Sequence, residues 1–263
     1  MPLELIDTHC HLEYEPLAGS IQDVLQRAEA AGVRSCITMG TTLEASRAAV
    51  DLAHRYPTMR AAVGVHPHDV GELTDTMATE LEELSADPFV VAIGEVGLDF
   101  HREGSSSEQQ QDALARFINL AHRRALPLIL HCRDAYEPLL RVLRARMQPP
   151  LRGVIHCASG PSEFIQETVA MGLHVSFAGN VTFPNAHALR ALVPLVPDER
   201  LLIETDAPFL APQPVRGQTN EPAYVAHTAA YLATLRGTTL EALGAQTSRN
   251  ARRLFRLPPS KEL

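Results

Sequence analysis

Eight short apolar runs alternate with eight segments of helical period along the chain, and few folds accept that order. The strand-like runs cover residues 3–11, 35–39, 60–65, 89–94, 126–131, 152–156, 173–177 and 200–205. The helical segments cover residues 20–32, 43–56, 76–86, 107–125, 136–147, 162–172, 185–193 and 222–236. Eight β–α units predict an α/β protein, a (β/α)8 TIM barrel built as one domain over residues 1–263, because such barrels take about 250 residues. A doubly wound open sheet usually has fewer units, and its G-x-G-x-x-G turn after the first strand is missing. Residues 239–255 form an extra C-terminal helix, placed to cap a barrel end.

The ends of these runs carry metal-type residues. His9 and His11 close the first run, Glu95 the fourth, His131 the fifth and His156 the sixth, while Asp206 follows the eighth. If the strands are parallel, all six side chains converge on the mouth where such barrels place their chemistry. Residues two apart on a strand share a face, so His9 and His11 point inward together, and Cys10, Cys132 and Cys157 are expected to point away as small buried groups. Imidazoles and carboxylates gathered inside a barrel are costly without a cation to hold them. The set divides between two divalent ions: His9, His11 and Asp206 on the first, His131 and His156 on the second, Glu95 bridging. Such ions sit roughly 3.5–4 Å apart and share a hydroxide formed near neutral pH. Zn²⁺, Mn²⁺ and Ni²⁺ suit imidazole-rich ligation, and Mg²⁺ suits it when waters complete the shell.

Composition narrows the setting. The net charge of −8 argues against broad electrostatic coating of nucleic acid, while leaving room for phosphates held at a metal centre. No run reaches the roughly 18 apolar residues of a membrane span, and Met1–Leu3 leads straight into the first strand, so a cytoplasmic protein, monomeric by default, is expected. The four cysteines have no disulfide pattern.

The segments Ile6-Asp7-Thr8-His9-Cys10-His11-Leu12, Val63-Gly64-Val65-His66-Pro67-His68 and Ala92-Ile93-Gly94-Glu95-Val96-Gly97-Leu98-Asp99 resemble those of the TatD family of metal-dependent deoxyribonucleases, within the amidohydrolase-like barrels. So do Leu130-His131-Cys132-Arg133-Asp134-Ala135, Gly153-Val154-Ile155-His156-Cys157, Leu202-Ile203-Glu204-Thr205-Asp206-Ala207-Pro208 and Arg216-Gly217-Gln218-Thr219-Asn220-Glu221-Pro222. The resemblance spans nearly the whole chain. It implies a two-metal barrel with the ligands named above and phosphodiester hydrolysis, with a 3′→5′ exodeoxyribonuclease acting on DNA 3′ ends, and RNA as a further substrate, as the expected activity. Asp206 and Glu95 are the expected catalytic residues. His66, Arg133, Glu204 and Arg216 are candidate substrate contacts. For His66 the alternatives are a third ion or a structural role, for Glu204 support of the site, and for Arg133 an ion pair with Asp134 or another carboxylate. Asn185, Asn220 and Glu221 read as helix caps or first-turn residues. Pro184 stands where the family usually has lysine, Gln218 and Thr219 replace a basic pair, and Ala158 replaces an aromatic residue. The first two changes remove positive charge, which keeps hydrolysis of a small ester, lactone, amide or phosphate ester as the rival reading. A non-catalytic binding module is the remaining alternative.

Overall fold

The structure is a computed structural model that describes residues 3–101, 104–146 and 152–259. Its strands are β1 (Leu5–Cys10), β2 (Val33–Met39), β3 (Met59–Val63), β4 (Val90–Asp99), β5 (Leu128–Arg133), β6 (Gly153–Ile155), β7 (His174–Phe177) and β8 (Leu201–Ile203). The helices between and after them are α1 (Ile21–Ala30), α2 (Leu43–Arg55), α3 (Asp75–Leu84), α4 (Ser107–Arg124) and α5 (Tyr136–Arg146). They continue with α6 (Ser162–Ala170), α7 (His187–Leu192), α8 (Val225–Leu235) and α9 (Leu240–Phe255). Met147, the last residue of the expected fifth helix, lies outside the described residues. Among the described residues no helix is long and apolar enough to cross a membrane.

Every neighbouring strand pair is parallel, in the order β1 to β8. A bridge between Cys10 and Ala207 joins the two ends of the sheet. There the Asp206 N–H donates to the His9 carbonyl at 2.9 Å and the His11 N–H to the Ala207 carbonyl at 2.7 Å. This is the TIM barrel that the eightfold alternation predicts. Local chemistry sets the helix starts: Thr42, Thr74 and Thr239 accept the N–H three residues on. Ser106 and Gln109 form a reciprocal capping box at the start of α4.

Two apolar layers fix the barrel. Between strands and helices lies the larger cluster, which includes Leu5, Val63, Leu98, Leu130 and Phe177. Inside the ring, Ile6, Ala62, Ala92, Ile129, Val154 and Leu202 meet Leu254 and Phe255 of α9. The C-terminal helix therefore closes the base of the barrel, and each such buried Ile, Val, Leu or Phe side chain contributes about 1.5–3 kcal/mol. With the base sealed, the opposite mouth is the face left for chemistry.

Several strands end differently from the sequence reading, β4 and β3 among them. β4 was expected to stop at Gly94 but runs on to Asp99, with a register break between Ile93 and Val96. Glu95 is thus within a strand rather than at its tip. β3 ends at Val63 and not at Val65, so His66 lies further into the following loop rather than directly at the strand end.

Candidate metal centre

The six predicted ligands do meet at the mouth. His9 Nε2 and His11 Nε2 are 3.2 Å apart, and Asp206 Oδ1 lies 3.6 Å from the first and 3.5 Å from the second. Glu95 Oε2 lies 3.4 Å from His9 Nε2 and 3.6 Å from His11 Nε2. The other Glu95 oxygen, Oε1, is 2.8 Å from His131 Nδ1 and 2.9 Å from His156 Nε2. Those two imidazole nitrogens are 3.2 Å apart. One carboxylate thus divides its two oxygens between two groups of donors. A tetrahedral ion with bonds of 2.0–2.1 Å has donor–donor edges of about 3.3 Å, which is the spacing of the first group. The donor set fits divalent metals, and among the described residues His9, His11 and Asp206 form one candidate metal-holding group, with His9, Glu95 and His156 forming another.

Backbone geometry explains the convergence. The parallel pairing sets Gly97 beside His131. Gly97 has a φ of 148°, and a Cβ there would come within 2.0 Å of the His131 carbonyl oxygen. Only glycine lets β4 and β5 approach this closely. At the seam, buried Asp7 accepts from the Thr205 hydroxyl at 2.5 Å and the Thr205 N–H at 2.9 Å, tying β1 to the segment that carries Asp206. Burial raises the Asp7 pKa to about 7 against those hydrogen bonds.

Carboxylates stand behind the imidazoles. Glu13 Oε1 is 3.6 Å from His11 Nδ1, and Glu204 Oε1 is 3.4 Å from His156 Nδ1. Such partners fix ring orientation and raise the basicity of the other nitrogen. Burial works against the charged form of His11, but Asp206 and Glu13 outweigh it and hold its pKa up at about 10. At His156, Glu95 and Glu204 likewise overcome burial, again to about 10. Burial would raise the Glu95 pKa, yet His156 and His9 hold it well below the usual carboxylate range. His9 moves the other way, lowered by burial and by neighbouring His156.

The cluster floors an open cavity of about 810 Å³, with Tyr14, Thr41, Arg133, Tyr136, Asn180 and Phe209 among its wall residues. His66 also lines it, with Nε2 3.7 Å from Glu95 Oε1, and burial lowers its pKa to about 3. Arg133 faces the same space. The anticipated Arg133–Asp134 pair does not form, because Asp134 is taken by His101 at 2.6 Å. Glu204 is fully buried behind His156, where it accepts the Cys157 N–H at 2.6 Å; it touches the ligand and not the cavity, so the substrate-contact expectation fails. Arg216 is exposed outside the cavity wall and stacks on Phe183, its guanidinium carbon 3.8 Å from the ring centre. Pro184, Gln218 and Thr219 are exposed too and do not line the cavity.

Some readings of the sequence need correction. Cys132 and Cys157 line the cavity instead of facing away. β6 stops at Ile155, and Cys157 takes left-handed backbone with φ 45°, so strand alternation no longer applies there. Asn220 is no cap: its Nδ2 donates to the Thr205 and Phe209 carbonyls at 2.8 and 2.5 Å. Glu221 does stand at the N-cap of a short 3-10 turn, Pro222–Tyr224, but its side chain binds Arg27 through two oxygens and makes no capping bond. Asp99 was overlooked. Its Oδ2 is 3.1 Å from His131 Nε2 and 3.0 Å from His68 Nε2. With His66 and His131 it forms a further candidate metal-holding group. Four residues from Glu95 on one strand, it shares that face, which was the signal available.

The family model described as TatD related DNase matches residues 6–256. The chain belongs to the TatD family. It is 41% identical over 261 residues to the 3′-5′ ssDNA/RNA exonuclease TatD of Erwinia billingiae, covering 97% of this chain and 100% of that one. To the uncharacterized metal-dependent hydrolase YabD of Bacillus subtilis it is 39% identical over 253 residues, covering 96% and 99%. Among solved structures, the TatD homolog YJJV of Escherichia coli matches with a TM-score of 0.93 at 33% identity, covering 98% of this chain and 100% of that one.

Proposed function

We propose that this TatD-family chain is a metal-dependent deoxyribonuclease that shortens single-stranded DNA from its 3′ end, with RNA as a second substrate. The observation that carries the reading is the divided carboxylate of Glu95, one oxygen facing His9 and His11 and the other facing His131 and His156. Two divalent ions held by these groups would supply a water ionised near neutral pH and positive charge for the phosphoryl oxygens. Asp206, ionised because His11 and His9 outweigh its burial, can take a proton from an attacking water. Arg133 is placed on the cavity wall to hold a neighbouring phosphate. His66, neutral at physiological pH, lines the same wall as a hydrogen-bonding group for substrate. Glu13 and Glu204 keep two of the rings in orientation. The free state of Cys10, Cys36, Cys132 and Cys157 suits a reducing cytoplasm, and the reading takes the chain as a monomer.

The test is a 3′-labelled and a 5′-labelled single strand, a matching RNA and a set of small esters, each with added Zn²⁺, Mn²⁺, Mg²⁺ or Ni²⁺ and a chelator control. Stepwise loss from the DNA 3′ end that the chelator stops is the expected result. Turnover confined to small esters would transfer the chain to the rival hydrolase reading.

A further inference from the structure

Among the described residues the exposed large hydrophobic side chains are Phe209 and Leu235, and Phe209 stands on the cavity wall at 50% exposure. A half-exposed phenylalanine gains little from folding. Its backbone is nevertheless held firmly. The Phe209 N–H donates to the Asp206 carbonyl at 2.9 Å, while buried Asn220 donates to the Phe209 carbonyl at 2.5 Å and to the Thr205 carbonyl at 2.8 Å. The backbone that carries the ring is therefore fixed at the mouth before any ligand arrives, and preorganised groups bind with less ordering cost.

Its neighbours continue the surface. Tyr14 lies 6.5 Å from Phe209, and its own ring stacks on the metal-site imidazole of His11 at 5.2 Å and 15°. Phe209 itself is 6.1 Å from His11. The Tyr14 hydroxyl is anchored to the Thr41 hydroxyl at 2.7 Å. Aromatic rings thus begin at the metal cluster and climb to the rim, and Arg133 belongs to another part of the same wall. Every nucleobase has a π-face, so an aromatic platform beside a phosphate-cleaving centre takes any unpaired base.

We infer that Phe209, backed by Tyr14, is a stacking subsite for the unpaired terminal nucleobase of a single-stranded substrate. A terminal base still paired in a duplex is held by its partner strand and must unpair before it can turn onto this ring. The inference rests on the nuclease reading and adds the feature of the substrate that is recognised.

The test compares single strands ending in an ordinary 3′ nucleotide with strands ending in a 3′ tetrahydrofuran residue, which keeps the phosphate and lacks the base. The metal-loaded wild type should favour the ordinary end by about 10- to 100-fold in kcat/KM. Phe209→Ala should remove that preference, and Phe209→Trp should restore it. A separate readout uses a 3′-terminal 2-aminopurine behind a phosphorothioate linkage. Wild type and Phe209→Trp should quench its fluorescence, and Phe209→Ala should not. Equal losses on both ends, or unchanged preference and quenching in Phe209→Ala, would overturn the subsite while leaving the nuclease reading standing. Failure of the wild type to shorten any strand would overturn the nuclease reading and the subsite with it.

Discussion

His156 at the mouth and His174 at the base of the barrel are buried almost equally, 5% and 4% exposed, yet their electrostatics are opposite. Burial lowers the pKa of both. At His156 the carboxylates of Glu95 and Glu204 reverse the effect, to about 10. At His174 burial is reinforced by Arg200 and Arg253, and the value falls to about 4. The same side chain is thus held toward its charged form by carboxylates in one place and left neutral in the other. Neighbouring charge, more than depth, decides which. Both regions hold buried polar atoms without a hydrogen-bond partner, and at the base these include both ring nitrogens of His174. Arg152 donates to the Ala125 and Leu254 carbonyls and Arg200 to the Gly172 carbonyl, closing helix ends. At the mouth, His9 Nδ1 and Glu204 Oε2 have no hydrogen-bond partner, while His11 Nδ1 and His156 Nδ1 face carboxylates at 3.6 and 3.4 Å. Buried polar atoms left in that state are expensive unless function retains them.

The strongest way to break this contrast is Glu95→Ala, which removes the charge shared by both donor groups. Turnover of the metal-loaded variant should fall by about 10³-fold or more, with the circular dichroism of the fold retained. Full activity in a turnover assay would end the assignment of Glu95. At the base, the folded pKa of His174, about 4, lies below the ordinary 6.5. The unfolded chain therefore takes up this proton first. The His174 contribution is complete above about pH 6.5 and is lost as pH falls toward about 4, by at most about 3 kcal/mol. Urea melts across that window should show the slope in wild type and a shallower one in His174→Leu; parallel slopes would refute it. The smallest effect is sought at Glu204→Gln, which weakens the orientation of His156. Metal affinity should drop by about 10- to 100-fold, read by competitive titration with a chelating dye. Unchanged affinity would leave Glu204 with a purely structural part.

Much of this arrangement was readable in the chain because the barrel converts strand ends into one location. His9, His11, His131, His156 and Asp206 follow apolar runs, and parallel strand order alone brings them together. What was missed depends on backbone detail that periodicity does not carry. The register break after Ile93 prolongs β4, which moved Glu95 inside the strand and hid Asp99 beyond its expected end. Left-handed backbone at Cys157 turned a residue expected to face the helices into part of the cavity wall. Asn220 and Glu221 looked like caps by residue type, but their partners lie across the tertiary structure, at Thr205, Phe209 and Arg27. Arg216 was placed beside the pocket by its loop, and the ring of Phe183 holds its guanidinium elsewhere.

The seam between β1 and β8 has a mechanical consequence. Two donor residues before the helices begin and one after the last strand face each other across a join made of only a few backbone contacts. A cation gripped by His9, His11 and Asp206 would act as a clasp between the first and last staves of the barrel, the longest loop that any pair of these donors closes. Loading the barrel with metal would then slow its opening at the weakest stave, so the ion that serves turnover would also lengthen the lifetime of the folded ring.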